Sequence, residues 1–357
     1  MLCSGSDQIA VVVCIYGHRK KRKSSMGQNV FRHSFDWRRT GARGMPQETI
    51  IRWLLEGDVS IQYQTYRDLL NLKKPELQDR ISQEGWGKTI LGKWNSRGRL
   101  GWGEGFYQPK WTSTHYTLLD LRNLNLSCEE EVPKRTIEFI LSEGKANDGG
   151  IPLGPSTVVH SDVCVNAMFL NYASYFQCSQ KDLKSIVDSI LQEIMPDGGF
   201  NCRSTRSGAR HSSMHSTISV LEGFYEYQKA NYDYRLDDIN NAMVTAQEFL
   251  LMHRLYKSDR TGEIIHKDFL KLAYPSRWKY DILRCLDYFQ YSGQPWDERM
   301  SDAVESLLAK RNSDGSWNMQ AAHPGKQHVT MERAGQPGRW NTLRALRVLK
   351  HFGIFSD

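Results

Sequence analysis

The chain has 357 residues, 39% of them hydrophobic and 24% charged, with 47 Lys and Arg against 40 Asp and Glu. That composition belongs to a folded globular protein and excludes low-complexity, collagen-like and disulfide-scaffold classes. The formal charge of +7 resides in residues 1–45, which hold nine basic and two acidic side chains; the other 38 basic and 38 acidic residues cancel, so a nucleic-acid partner is not expected for the body of the chain.

Residues 1–45 read as a basic, disordered leader ahead of a folded domain spanning 46–357. The apolar run Ile9–Tyr16 is too short for a membrane span, and the basic cluster Arg19–Lys23 follows it, opposite to the order in a secretory signal. Read as a tag, that cluster would serve localisation or nucleic-acid contact. Seven scattered cysteines with no C-x-x-C point to a reducing compartment, hence a cytoplasmic protein with no transmembrane segment.

From residue 46 the pattern is helical. A first short helix ends at Trp53-Leu54-Leu55 before Gly57-Asp58, and a second amphipathic stretch covers 60–71. Beyond it one unit recurs: an amphipathic helix, a turn rich in Asp and Gly, then a more apolar helix. The turns are Arg97-Gly98-Arg99-Leu100-Gly101-Trp102, Asn147-Asp148-Gly149-Gly150, Pro196-Asp197-Gly198-Gly199-Phe200, Asp259-Arg260-Thr261-Gly262 and Ser313-Asp314-Gly315-Ser316-Trp317. A period of about 50 to 60 residues marks supersecondary units that bury their apolar faces only against neighbours.

The helices before the turns, near 77–95, 130–143, 181–194, 238–253 and 298–311, carry charge on one side and read as an outer layer. Those after the turns, near 111–124, 161–174, 212–228, 276–291 and 337–351, join 60–71 as six inner helices, apolar around more of their circumference. No run of alternating β-branched residues competes. Six inner and six outer helices predict an all-α (α/α)6 toroid with a central cavity. Closure is preferred to an open solenoid because the last helix, Trp340–Leu346, still looks like an inner one and not a polar cap.

In a toroid the inner-helix N-termini gather at one mouth, where free N–H groups and partial positive charge favour a site. Ser161, Ser212 and Ser276 are ordinary caps there, but His115, Cys164, His215, Tyr280 and Arg339 are not required for capping. Arg203, Arg210 and Arg339, with Lys279 nearby, would suit an anionic headgroup. The aromatics Trp111, Tyr116, Phe169, Trp278 and Trp340 would line an apolar pocket. His323-Pro324-Gly325 and His328 lie in a long loop that would lid it.

The Gly-Gly-Phe and Gly-Ser-Trp turns resemble the repeats of terpenoid cyclases and protein prenyltransferase β subunits, both toroids. The likeness covers roughly residues 48–352. Stretches such as Pro109-Lys110-Trp111-Thr112-Ser113-Thr114, Asn201-Cys202-Arg203, Arg210-His211-Ser212-Ser213 and Arg339-Trp340-Asn341-Thr342-Leu343-Arg344 are most similar to bacterial proteins labelled prenyltransferase- or squalene-cyclase-like. The cyclase Asp-x-Asp-Asp motif is absent, which speaks against protonation-initiated cyclisation, and Asp237-Asp238 at an outer-helix start is only a distant echo of a magnesium motif. Asp162-Val163-Cys164 matches the prenyltransferase Asp-x-Cys, so the resemblance implies zinc held by Asp162, Cys164 and His215. Carboxylate, thiolate and imidazole with an open fourth position suit a catalytic zinc.

The leading expectation is therefore a prenyltransferase- or cyclase-like enzyme acting on an apolar, isoprenoid substrate, with Tyr280, Asp281 and His115 as catalytic candidates. Whether a second subunit is needed stays open. A carbohydrate-active (α/α)6 enzyme is the alternative; it needs two facing carboxylates, for which Asp162 and Asp281 are the pair available. A non-catalytic toroid binding a lipid or a protein is the third reading.

Overall fold

Aspartates of the Asp/Gly turns hold the turns together, and at Asp148 and Asp197 they also bind the segment leading into the next helix. Asp148 accepts from the backbone N–H groups of Gly150 (3.0 Å) and Ser161 (2.6 Å). Asp197 accepts from Ser212 N–H at 2.9 Å, and Asp314 from Ser316 N–H at 2.9 Å. The glycine after each aspartate has positive φ (Gly149 82°, Gly198 88°, Gly315 84°), a conformation open to glycine at no steric cost. Two or more residues further on, the chain's N–H donates to a side chain in or near the first turn of the next inner helix. The four pairs are Trp102 to Thr114 Oγ1 (3.0 Å), Ile151 to Asn166 Oδ1 (2.7 Å), Phe200 to Thr217 Oγ1 (3.0 Å) and Trp317 to Thr342 Oγ1 (3.0 Å).

The computed structural model describes residues 47–96, 100–152 and 160–354; the expected leader and the Arg97-Gly98-Arg99 start of the first turn lie outside them. The described residues belong to one compact unit, 42–357. In chain order the helices are α1 (Gln47–Leu55), α2 (Val59–Gln64) continued by a π-helical turn (Thr65–Leu69), α3 (Pro75–Arg80), α4 (Gly85–Leu91), α5 (Thr114–Asn123), α6 (Glu131–Ser142) and α7 (Val163–Tyr175). They continue as α8 (Gln180–Gln192), the short α9 (Ser204–Ser207), α10 (Met214–Lys229), α11 (Leu236–Met252), α12 (Ile282–Tyr291), α13 (Ser301–Leu308) and α14 (Arg339–His351). Strands β1 (Trp317–Asn318) and β2 (Pro337–Gly338) pair antiparallel, Trp317 opposite Gly338.

This is an (α/α)6 toroid, as the repeat predicts. Inner α7 buries eleven of its thirteen residues. Outer α8 buries Leu183, Ile186, Val187 and Ile190, the one-sided spacing of a half-solvated helix. Around the inner ring α5 packs on α7, α7 on α10, α10 on α12, α12 on α14, and α14 on α2 and its π turn. The α7–α10 approach is close enough that a Cβ on Gly223 would meet the Ala167 carbonyl oxygen at 2.4 Å. Hydrogen bonds from Gln64 Nε2 to Asn123 O (3.0 Å) and from Arg67 Nη1 to Asn125 Oδ1 (2.9 Å) join α2 and its π turn to the end of α5. The open solenoid is thereby excluded.

Three boundaries differ from the sequence reading. The expected outer helix 77–95 is divided into α3 and α4, with Gly85 at φ 61° opening α4. The inner helix expected from 276 starts only at Ile282: Arg277 takes φ 56°, and Asp281 caps the helix by accepting from Arg284 N–H at 2.9 Å. Residues 111–113 likewise precede α5, Trp111 having φ 71°. Among the described residues no helix is long and apolar enough to cross a membrane.

The seam where the last inner helix meets the first is ionic. Arg347 grips both oxygens of Asp287 at 2.6 Å and reaches Asp68 Oδ2 at 2.9 Å. Removing one partner of such a buried network strands the others without compensation. Arg347→Ala should therefore cost about 3–5 kcal/mol of unfolding free energy, measured by urea denaturation followed by far-ultraviolet circular dichroism. An unchanged midpoint would show that the seam is held by packing alone.

Candidate functional site

Several of the side chains expected to form a site at the inner-helix N-termini are engaged in packing and capping. His115 is fully buried among Phe106, Tyr107, Tyr116 and Tyr172, with Nδ1 3.2 Å from the Tyr172 hydroxyl. His215 Nδ1 accepts the Tyr280 N–H at 2.8 Å while its ring meets Phe269 and Trp278 edge-on. The Tyr280 hydroxyl donates to the Leu255 carbonyl inside the core. Asp281 is the cap of α12, and burial raises its carboxyl above the ordinary range. The expected catalytic candidates are thus absorbed in packing and capping.

The loop carrying His323 and His328 packs against this end. Trp111 Nε1 donates to the Pro324 carbonyl at 2.6 Å, and His328 Nε2 lies 2.9 Å from Thr117 Oγ1. Glu332 accepts the Trp340 N–H at 3.1 Å at the head of α14, and burial lifts its carboxyl to about 7.

The expected zinc set does not fit. Among the described residues, which include Asp162, Cys164 and His215, no three His, Cys, Asp or Glu side chains stand in a group that could hold a metal. Asp162 is the buried N-cap residue of α7 and Cys164 lies in its first turn. The proposed anion set is also dispersed in role. Arg203 and Arg210 are exposed in the loop before α10, whereas Arg339 stacks 4.6 Å over the Trp53 ring and donates to the Trp53 carbonyl at 3.0 Å.

A polar cavity among the described residues lies away from this end. Its wall comes mostly from the middle and C-terminal turns of the inner helices. Tyr274, Ser276, Arg277 and Trp340 line its N-terminal side; Arg67, Arg122, Asn123, Asn125, Tyr291 and Arg347 line the other, with Asn171, Glu222, Arg284, Asp287, Tyr288 and Arg344 between. Six guanidinium groups therefore face one space. Tyr274 and Trp340 form a stacked pair within it, centroids 4.5 Å apart and planes at 19°.

Each arginine leans on a carboxylate. Arg284 is bidentate to Glu222 (2.9 and 2.6 Å) and also donates to the Lys279 carbonyl at 2.8 Å. Arg344 Nε donates to Asp287 at 3.1 Å beside Arg347. Arg122 pairs with Glu226, which also accepts from the Tyr291 hydroxyl at 2.7 Å. Arg277 Nη2 donates to Asp120 at 3.2 Å. Burial would raise Asp287 and Asp68, but the arginines around each outweigh it and hold both below the ordinary value. At Asp120 burial wins over the single Arg277, and the carboxyl is pushed up to about 6.

These residues escape a search confined to helix N-termini. The signal present in the sequence is a charge inside an otherwise apolar inner helix: Arg122 after Leu118-Leu119-Asp120-Leu121, Arg284 within Ile282-Leu283-Arg284-Cys285-Leu286, Arg344 and Arg347 among Leu343, Leu346 and Val348. Arginine is rarely fully buried unless paired, so such positions mark an interior polar space.

No protein-family profile matches the sequence, and no curated protein matches it. Among solved structures, the chain is similar to a glycosyl hydrolase family 88 protein from Bacteroides vulgatus, at 12% identity and TM-score 0.46 over 85% of this chain and 97% of that one. It is similar also to a polysaccharide lyase, at 13% identity and TM-score 0.47 over 85% and 95% of the two chains. Neither is a terpenoid cyclase or a prenyltransferase, so the resemblance to that superfamily, and the isoprenoid activity it implied, are corrected. The wall agrees with the correction: an isoprenoid pocket is apolar, and this one is lined by six arginines.

Four histidines near this end, His115 buried and the other three half-buried, are held neutral. Burial holds His115 down at about 3, and His215, His323 and His328 at about 4, against an ordinary 6.5. A depressed group contributes stability above its unfolded value and loses it as pH falls through the folded one. Asp120, Glu332 and Asp281, all raised by burial, act in the opposite sense, three groups against four. The melting temperature should therefore drop steadily from pH 6.5 to 4, and His115→Gln should flatten that slope in thermal scans. A melt independent of pH over this window would show these imidazoles to be solvated.

Proposed function

We propose that this toroid is a carbohydrate-active protein whose central cavity binds a hydroxyl-rich ligand. The observation that carries the reading is the composition of the wall: the stacked Tyr274–Trp340 pair beside amide side chains of Gln64, Asn123, Asn125 and Asn171 and the ring of arginines. A flat aromatic surface with many convergent donors suits a saccharide, which offers C–H faces and a rim of oxygens. An apolar ligand would leave those polar groups desolvated without partners.

Cleavage of a glycosidic bond calls on two carboxyl groups beside the scissile bond. Asp162 and Asp281 do not supply them, because neither lines the cavity. The two carboxylates on the wall are Glu222 and Asp287. Asp287 is held ionised by Arg344 and Arg347, which suits the charge-stabilising role, and Glu222 is the partner we assign for proton transfer. Cys128, Cys178 and Cys285 are thiols, in keeping with a reducing, cytoplasmic location.

The test is turnover of an oligosaccharide panel, read both as new reducing ends and as ultraviolet absorbance of an unsaturated product, alongside calorimetric binding. Glu222→Gln should lower turnover by about 10²–10⁴-fold while leaving binding in place. Binding without turnover would retain the saccharide site and remove the catalytic assignment. Absence of both would sink the reading.

A further inference from the structure

Residues 319–336 join β1 to β2 with no helix or strand of their own. Connections of that length inside a compact domain are uncommon, and when ordered they are usually functional. From 320 to 337 no residue is buried; Val329 and Met331 touch the core while partly exposed. A segment with so little apolar burial opens at low local cost. Its base is a hairpin, in which the Met319 N–H donates to the Gln336 carbonyl at 3.0 Å and the Gly335 N–H to the Met319 carbonyl at 2.7 Å. Its far part is pinned by polar side chains from the region of α4 and α5. Trp111 Nε1 donates to the Pro324 carbonyl at 2.6 Å, Thr117 Oγ1 lies 2.9 Å from His328 Nε2, and the Lys93 ammonium donates to the His328 carbonyl.

Trp111 holds its bond from a strained position. A φ of 71° is uncommon for a bulky residue and persists only where the surroundings over-determine it. The indole carries the Arg277 guanidinium at 4.6 Å and meets the His323 ring at 5.7 Å. It also lies so close to the loop that a Cβ on Gly325 would meet its Cδ1 at 2.7 Å.

The loop thereby touches one side of the polar cavity. Arg277 lines that cavity, as do Ser276, whose backbone lies at the His323 ring, and Trp340, whose N–H Glu332 accepts at 3.1 Å. Ser276, Arg277 and Trp340 are all buried, so the cavity is shut on this side, whereas the Arg67 side chain on the far side is 33% exposed. His323 Nε2 is buried with no partner among the described residues, a cost that the closed loop bears and that water would relieve.

We propose that the 319–336 loop is a hinged gate over a second entrance to the polar cavity, latched by Trp111 and Thr117. Swung out on its hairpin base, it uncovers Ser276 and Trp340 and opens the cavity at both ends of the inner ring. This goes beyond the saccharide reading and holds for any occupant.

Ser276→Cys in the full chain places a reporter on the wall behind the gate. Its rate of maleimide labelling, resolved from the native cysteines by peptide mass spectrometry, reads access to the cavity. Trp111→Phe keeps a ring and removes the donor to Pro324; His328→Ala removes the bond to Thr117. Each takes away one hydrogen bond, so labelling at 276 should rise roughly 2- to 10-fold in either variant. The double variant should show about the product of the two. Trypsin cleavage after the exposed Lys326 and Arg333 should rise in parallel. Hydrogen exchange of α7 and α10, far from the latch bonds, should stay as in the parent. Labelling unmoved by both substitutions overturns the gate, whether or not cleavage rises. Labelling that rises only in step with exchange of α7 and α10 marks global unfolding as the route of access and overturns it as well.

Discussion

The tether between each turn and the inner helix that follows it is the constraint on which the rest of this structure depends. Four times a backbone N–H leaving a turn finds a side-chain oxygen in or near the first turn of the next helix, at Thr114, Asn166, Thr217 and Thr342. Each bond is modest alone, about 0.5–1.5 kcal/mol net, yet leaving the buried N–H without it would cost more. Repetition makes the helices start at one level, and a ring can close only if its members share a level. The aspartate of the turn adds a second bond to the same joint, as Asp148 does with Ser161 and Asp197 with Ser212.

Because that end of the barrel is committed to joints, its centre is free to be polar. Charges that would be untenable alone are arranged as pairs and triads across neighbouring inner helices: Asp287 with Arg344 and Arg347, Asp68 with Arg67 and Arg347, Glu222 with Arg284. Buried ion pairs are weak evidence for net stability, since desolvation consumes much of their attraction. Their presence here in a fold that could have filled its axis with leucine is better explained by an occupant of the axis. The hydrophobic clusters between inner and outer layers, such as Ile186, Val187 and Ile190 of α8, carry the folding free energy instead.

The architecture was legible because period and burial are written in residue types: aspartate–glycine turns recur, and the inner helices are richer in apolar residues on every face. The helix expected from 276 was misplaced because Ser276 looks like a cap, whereas the left-handed Arg277 and the true cap Asp281 depend on tertiary contacts. The polar cavity wall was not foreseen for a related reason. Residues at a helix N-terminus can be functional or can bond the backbone, and His115, Asp162, His215, Tyr280 and Asp281 are bound up with packing and capping. The arginines of the wall come from the π turn, α5, the segment before α12, α12 itself and α14, so no local motif gathers them. Only ring closure brings Arg122 and Arg344 to the same space.

Separating the joints from the wall has a consequence for how such a molecule can change over generations. A substitution at Thr217 or Gly223 alters the joint or the closest helix approach and would be purged for its effect on folding. A substitution at Asn171 or Tyr291 alters what the axis can hold while leaving the four turn tethers in place. The fold therefore offers a reservoir of positions where new specificities can be sampled one residue at a time without first losing the scaffold.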